Sequence, residues 1–271
     1  MKNLKVENFS LEETLNSGQI FTYYLENNWW FVLERDKLFK VKQNGDILYY
    51  EGIKSEELID FFSLDESLEE ELKGIEDEIL TKAIEELWGL RLIRQDLWQV
   101  IISFITSSMS NMDKIKKNLW GLCKEYGEVK YFEEKNFYTF PKEGVVFDEE
   151  KLRKIGFGYR AKYLEETSRF ISKNPQFLEK LNEMNYNRAV EELQKLSGVG
   201  KKVADCICLF GLNKKEAFPV DVWINRILTE HYLSSLEEGK KIDDCIEVYF
   251  RGNKGLKQQY LFHYFRKYKI K

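Results

Sequence analysis

The chain of 271 residues is predicted to be an α+β protein, an amino-terminal strand-rich domain over residues 1–90 followed by a mainly helical domain over 91–271. Three observations predict it. Residues 20–50 alternate apolar and polar side chains and are rich in aromatics, which is the period of half-buried strands. Beyond residue 90 the apolar positions recur at three- and four-residue spacing, which is the period of helices. The charge changes sign at the same place: residues 1–90 hold 9 basic and 21 acidic side chains, and 91–271 hold 33 and 25.

In the first domain "IFTYYLENNWWFVLERDKLFKVKQNGDILYYEG" reads as antiparallel strands, with turns at Asn27-Asn28 and Asn44-Gly45. Helical patterns follow at 54–62 and, acid-rich, at 66–87. In the second domain "DLWQVIISFITSS", "SRFISKN", "NRAVEELQKLSG", "KKVADCICLFG" and "DVWINRILTEHYL" all have helical spacing. The last stretch, 251–271, holds seven Lys or Arg and no acid, which suits a polyanion although the net charge is −4.

The amino-terminal stretch lacks an apolar signal core, and no run is long enough to span a bilayer, so a soluble, cytoplasmic protein is expected, nucleoid-associated if its source is bacterial. Cys123, Cys206, Cys208 and Cys245 form neither a disulfide framework nor a compact metal cluster, which fits a reducing compartment.

"LSGVGKKVADCICLFG", residues 196–211, carries the most chemistry. Gly198 and Gly200 permit a left-handed backbone and the close approach of another backbone. Leu196 and Val199 anchor the turn. The helix that follows opens with unpaired N–H groups, suited to a phosphate. Lysine is disfavoured at that positive helix end. Lys202 shares a semi-apolar face with Cys206 and Leu209, where desolvation and the dipole favour a neutral, nucleophilic amine. Lys201, beside Asp205 and Cys208, is the better phosphate neighbour. Asp221, after "FPV", reads as an N-cap that also faces a cleft.

Helix, glycine hairpin, lysine and capped aspartate in this order resemble the helix–hairpin–helix DNA glycosylases. The finer resemblance is to the 8-oxoguanine DNA glycosylases, through "SGQIF" (17–21), "IRQDLWQVIISFITSS" (93–108), "GFGYRAKYL" (156–164) and "QQYLF" (258–262). It implies a helix–hairpin–helix glycosylase domain over 91–271 that acts as a monomer on double-stranded DNA. Its reaction is base-excision repair: the base is flipped out, the Lys202 amine displaces it at the sugar C1′, and the Schiff base undergoes β-elimination. Asp221 stabilises charge on the sugar. The resemblance places Gly18, Cys206, Gln258 and Phe262 around the base. The Gly18 carbonyl would accept the N7–H that only the oxidised purine carries. Tyr159 is the duplex wedge and Arg160 a reader of the orphan base. Gly198, Gly200, Lys201 and Trp223 lie toward the backbone, with Met109, Asn111 and Lys114 on the opposite strand.

Two departures bear on this pattern. Trp223 stands where a histidine is usual. Met109 and Lys114 stand where an asparagine and an arginine read the orphan cytosine, which leaves opposite-base selectivity open. No cofactor is expected, and no iron–sulfur cluster, since only Cys245 follows Asp221. The alternatives are an endonuclease III-like glycosylase for other bases and a non-catalytic DNA-binding protein; Lys202 argues against glycosylases that work without a lysine.

Overall fold

The computed structural model describes residues 1–233, 236 and 239–269. The amino-terminal part is a five-stranded antiparallel sheet in the order β1-β5-β4-β3-β2. Its strands are β1 (Lys2–Lys5), β2 (Tyr23–Glu26), β3 (Trp29–Glu34), β4 (Lys37–Asn44) and β5 (Ile47–Glu51). The Asn27-Asn28 turn stands as expected, with both residues at positive φ, and pairs Glu26 with Trp29. The β3–β4 turn, on Arg35-Asp36, was not anticipated, and the turn expected at Asn44-Gly45 lies one residue later, on Gly45-Asp46, because the β4–β5 register pairs Asn44 with Ile47. Strand β1 has no apolar alternation, being an exposed edge strand, and was not signalled by its sequence.

Both faces of the sheet are buried. Val32, Phe39, Val41 and Leu48 pack on α1 (Leu11–Asn16) and α2 (Ser55–Phe61). Phe31, Leu33 and Leu38, on the other face, join the large core of the helices. The acid-rich stretch 66–87 is two helices, α3 (Leu68–Glu71) and α4 (Glu78–Glu86), not one. Gly74 breaks it at φ +71°, and Asp77 restarts it by accepting from the Leu80 N–H at 2.7 Å.

The rest is helical except for one hairpin. Helices α5 (Leu97–Ser107), α6 (Met112–Tyr126), α7 (Glu149–Ile155) and α8 (Arg160–Lys173) lead to α9 (Phe177–Glu183) and α10 (Tyr186–Leu193). Then come α11 (Lys201–Gly211), α12 (Val222–Ile227), which runs into a π-helical turn over Leu228–Tyr232, α13 (Ile242–Tyr249) and α14 (Lys254–Tyr268). The apolar α5 packs against α11 in the middle of the core. Strands β6 (Val129–Phe132) and β7 (Lys135–Tyr138) form a hairpin that was not anticipated within the mainly helical domain. Their turn is Glu133-Glu134, both at positive φ, where Asn or Gly would have announced a hairpin.

The carboxy-terminal helix α14 returns to the amino terminus. Tyr260 donates to the Leu90 carbonyl at 3.0 Å, and Gln259 to the Ser17 carbonyl at 2.7 Å. Gln19, fully buried, is the hub of the junction. Its Nε2 donates to the Arg91 carbonyl at 2.8 Å and the Ser17 hydroxyl at 2.9 Å, and its Oε1 accepts from Ile93 N–H at 2.7 Å. Gln19→Ala leaves those buried partners unpaired and should cost about 2–5 kcal/mol, read as a lower urea midpoint with an unchanged slope.

Candidate active site

The hairpin between α10 and α11 is closed by Val199 N–H donating to the Leu196 carbonyl at 3.2 Å. Gly198 is required twice over: φ is +80°, and a Cβ there would lie 2.7 Å from the Tyr163 ring. Gly200 departs from the expected left-handed geometry. It is extended, at φ −89° and ψ −179°, with nothing near a built Cβ. What it provides is an uncapped helix start: no side chain among the described residues accepts from the first N–H groups of α11, which leaves them for an anion.

The two lysines that open α11 part company. Lys201 is 65% exposed, yet its amine is bound to the buried Asp205 carboxylate at 2.9 and 3.0 Å. Tyr186 completes this cluster, its hydroxyl donating to Asp205 at 2.6 Å. Burial pushes the Asp205 carboxyl up even with these partners. Lys201 is therefore a counter-ion to Asp205 as well as an exposed cation at the start of α11. Lys202 turns the other way, its Nζ 5.6 Å from the centre of the buried Phe104 ring.

Lys202 faces a cleft of about 40 Å³ lined by Gly18, Phe104, Cys206, Phe210, Pro219, Asp221, Gln258, Gln259 and Phe262. Every catalytic and base-pocket residue anticipated from the sequence is in this set. Three of its polar groups are poised for a ligand. Asp221 caps α12 through Oδ1, which accepts from Ile224 N–H at 2.8 Å, and Oδ2 has no partner among the described residues. Gln258 Oε1 is buried and unpaired. The Ser17 and Gln19 carbonyls are hydrogen-bonded, whereas no donor among the described residues reaches the Gly18 carbonyl between them. The Cys206 thiol forms part of the wall, and burial pushes its pKa up to about 11, so it is a neutral, apolar surface.

The cleft has room for only a few water molecules. A purine enters only if the rim opens, and half-buried Phe262 is the side chain placed to swing. A larger groove of about 1020 Å³ lies between α10 and α13. It shares Lys202, but its other two lysines are paired, Lys201 with Asp205 and Lys254 with Glu247, and Glu216 and Asp243 add further carboxylates, so it makes a poor polyanion site.

Of the residues assigned to the opposite strand, Tyr159, Met109 and Lys114 are exposed, Met109 at 93% and φ +47°. Tyr159 sits edge-on to Tyr163 at 5.8 Å, which ties it to the hairpin glycine. Trp223 is 45% exposed beside Asp221. Arg160 departs from its expected surface position. It is 3% exposed, and its guanidinium donates to the carbonyls of Ser108, Met109 and Phe157. Its fork holds the turn that presents Met109. Asn111 is likewise engaged, capping α6 through Oδ1, which accepts from Lys114 N–H at 2.9 Å.

Sequence reasoning missed Phe104, Phe210, Pro219 and Gln259 as lining residues. Both glutamines of the 258–259 pair line the cleft, and Gln259 in addition donates to the Ser17 carbonyl at its edge.

The comparisons with known proteins agree with this geometry. Residues 2–101 match the 8-oxoguanine DNA glycosylase amino-terminal domain, and residues 102–249 match the HhH-GPD superfamily of base excision DNA repair proteins. The chain is 33% identical over 211 residues to a probable N-glycosylase/DNA lyase of Methanothermobacter thermautotrophicus, covering 70% of this chain and 66% of that protein. It is 32% identical over 216 residues to the N-glycosylase/DNA lyase of Saccharomyces cerevisiae, covering 73% of this chain and 57% of that protein. It is similar along its whole length to the Clostridium acetobutylicum 8-oxoguanine glycosylase/lyase crystallised with double-stranded DNA containing cytosine opposite 8-oxoG. The TM-score is 0.90 at 30% identity, with 100% and 99% of the two chains covered.

Two variants test this geometry. Gly18→Ala forces a Cβ into a φ of +89°, 2.7 Å from Arg266 Nη1 and 3.2 Å from Phe262 Cε1. The crowded rim should lower single-turnover base release at least about tenfold while circular dichroism stays native. Lys201→Gln strips Asp205 of its counter-ion and should lower stability by about 1–2 kcal/mol, less than for a fully buried pair because water reaches the amine. Adding Asp205→Asn should recover most of that loss in urea titrations.

Proposed function

Because the chain belongs to the 8-oxoguanine DNA glycosylase family of the HhH-GPD base excision repair superfamily, we propose that it excises 8-oxoguanine from duplex DNA and then cleaves the strand. One observation carries this reading: Lys202 and Asp221 face the same small cleft as the unpaired Gly18 carbonyl and the unpaired Gln258 Oε1. A nucleophile, a carboxylate and a base-reading edge converge there.

The reaction follows from that convergence. The duplex gives up the nucleotide because the glycosidic carbon is out of reach inside the stack. The uncapped start of α11 takes a backbone phosphate. Phe262 and the Cys206 wall enclose the base, Gln258 meets its Watson–Crick edge, and the Gly18 carbonyl accepts N7–H. Guanine presents a lone pair at N7, which that carbonyl repels. The Lys202 amine attacks C1′ through its lone pair, the C1′–N9 bond breaks, its electron pair leaves with the base, and the proton shed by the amine neutralises the departing base. Asp221 Oδ2 offsets the positive charge that builds on the sugar. Ring opening gives a Schiff base between Lys202 and C1′. Loss of a C2′ proton then expels the 3′ phosphate, and hydrolysis frees the lysine.

Borohydride trapping on an 8-oxoguanine duplex tests the assignment. Lys202→Gln should bind that duplex and give neither base release nor a trapped adduct; a trapped adduct from this variant would remove Lys202 as the nucleophile.

Opposite-base selectivity should be weak. Arg160 is committed to carbonyls inside the protein, Met109 has no base-reading donor, and Lys114 offers a point charge in place of a fork. A bidentate base contact discriminates by about 1–3 kcal/mol. With such contacts missing, excision of 8-oxoguanine opposite each of the four bases should fall within roughly a hundredfold. A preference for cytosine of about a thousandfold or more would overturn this.

A further inference from the structure

Arg266, on the last turns of α14, was not anticipated as a site residue, yet it lies directly behind two residues of the cleft wall, Gly18 and Phe262. Its Nη1 lies 2.7 Å from where a Gly18 Cβ would stand, and its guanidinium carbon is 5.1 Å from the centre of the Phe262 ring. It is a cation with no carboxylate in ion-pair contact among the described residues.

The side chain is tethered from behind by a built relay. Glu13 accepts from His263 Nε2 at 2.8 Å. Burial holds the buried imidazole below its usual pKa, so it carries one proton, and the carboxylate fixes that proton on Nε2. Nδ1 is then left as an acceptor for Arg266 Nη2, 3.2 Å away. The same Nη2 also donates to the Asn16 carbonyl. Both Nη2 hydrogens are thereby used. Nη1 and Nε make no hydrogen bond among the described residues, and Nη1 lies beside the Gly18 edge of the cleft.

Oxidation of guanine at C8 makes two changes side by side: N7 gains a hydrogen, and C8 gains a carbonyl oxygen. A matched reader needs an acceptor and, next to it, a donor. The Gly18 carbonyl is the acceptor of the proposed function. We propose that Arg266 Nη1 is the donor, hydrogen-bonding the C8 oxygen of the flipped base, so that both marks of oxidation are read. This rests on the 8-oxoguanine reading of the same cleft. The tether gives it a physical basis: an arginine held through Nη2 presents Nη1 in a fixed direction without ordering a free side chain at the moment of binding. When Phe262 swings to admit the base, Arg266 stays.

The test uses three duplexes under single turnover: 8-oxoguanine, 8-thioguanine and a preformed abasic site. The thio base keeps N7–H and O6 and replaces the C8 oxygen by sulfur, a weak acceptor. Wild type should release the oxo base more than about tenfold faster than the thio base. Arg266→Gln should lose roughly ten- to a hundredfold on the oxo base, change less than about threefold on the thio base, and still cleave the abasic strand. Abasic cleavage involves no base and reports an intact site. Arg266→Lys keeps the charge and the stem but cannot hold the tether and reach the base together, so it should fall nearly as far on the oxo base. An equal loss on oxo and thio bases, a loss of abasic cleavage, or no change in either variant would overturn the assignment. A wild-type protein that releases neither base would overturn the proposed function, and this inference with it.

Discussion

The site depends on how residues 17–19 are held. Two buried glutamines grip this tripeptide from opposite ends of the chain: Gln19 binds the 91–93 segment, and Gln259 donates to the Ser17 carbonyl. With the Ser17 and Gln19 carbonyls occupied, the Gly18 carbonyl is left over and belongs to the cleft. The same grip seats α14 against the amino terminus, which brings Gln258 and Phe262 to face Gly18 across 240 residues of sequence. Without it the lysine of α11 would face an open groove. The grip is costly to disturb because the Gln19 amide and the Ser17 and Gln19 carbonyls are matched in the interior, and a buried group left unmatched is penalised fully.

The electrostatics of the chain follow from similar pairings. The basic carboxy-terminal stretch and the acidic first domain look, as composition, like a surface for a polyanion set beside one that repels it. Much of that charge is internal bookkeeping. Lys267 binds Glu13, Lys215 binds Glu66 and Glu71, and Lys254 binds Glu247. Lys257 donates to a carbonyl, and Arg160 to three. Among the described residues, the positive groups at the cleft itself are few and local: Lys202, the uncapped start of α11, and Arg266 beside Gly18 and Phe262. A cleft with a small number of fixed charges suits selection of one altered base better than a broad basic surface does.

The sequence by itself determined what depends on local spacing. The strand and helix periods, the Asn27-Asn28 turn, the glycine at 198, the separation of Lys201 from Lys202 around a helix, and the Asp221 cap are all set by neighbours within a few residues. Ordered motifs along the chain pointed to Gly18, Lys202, Cys206, Asp221, Gln258 and Phe262, which line the cleft, but not to Phe104, Phe210, Pro219 or Gln259. The hairpin at 129–138 and the break at Gly74 escaped, because Glu133-Glu134 is not turn chemistry and a glycine in an acid-rich helical pattern is tolerated as often as it breaks one.

Tertiary structure alone decided which charged side chains are free. Arg160 reads as a surface arginine in its own helix, yet it is buried by carbonyls some 50 residues earlier in the chain. Arg266 reads as one of many basic residues in a tail, yet Glu13, Asn16 and His263 make it a fixed group behind the cleft wall. The physical reason is the same in both cases. Periodicity fixes the direction in which a side chain leaves its own backbone, but a buried cation is defined by the acceptors that meet it, and those come from segments that only the packed core brings together.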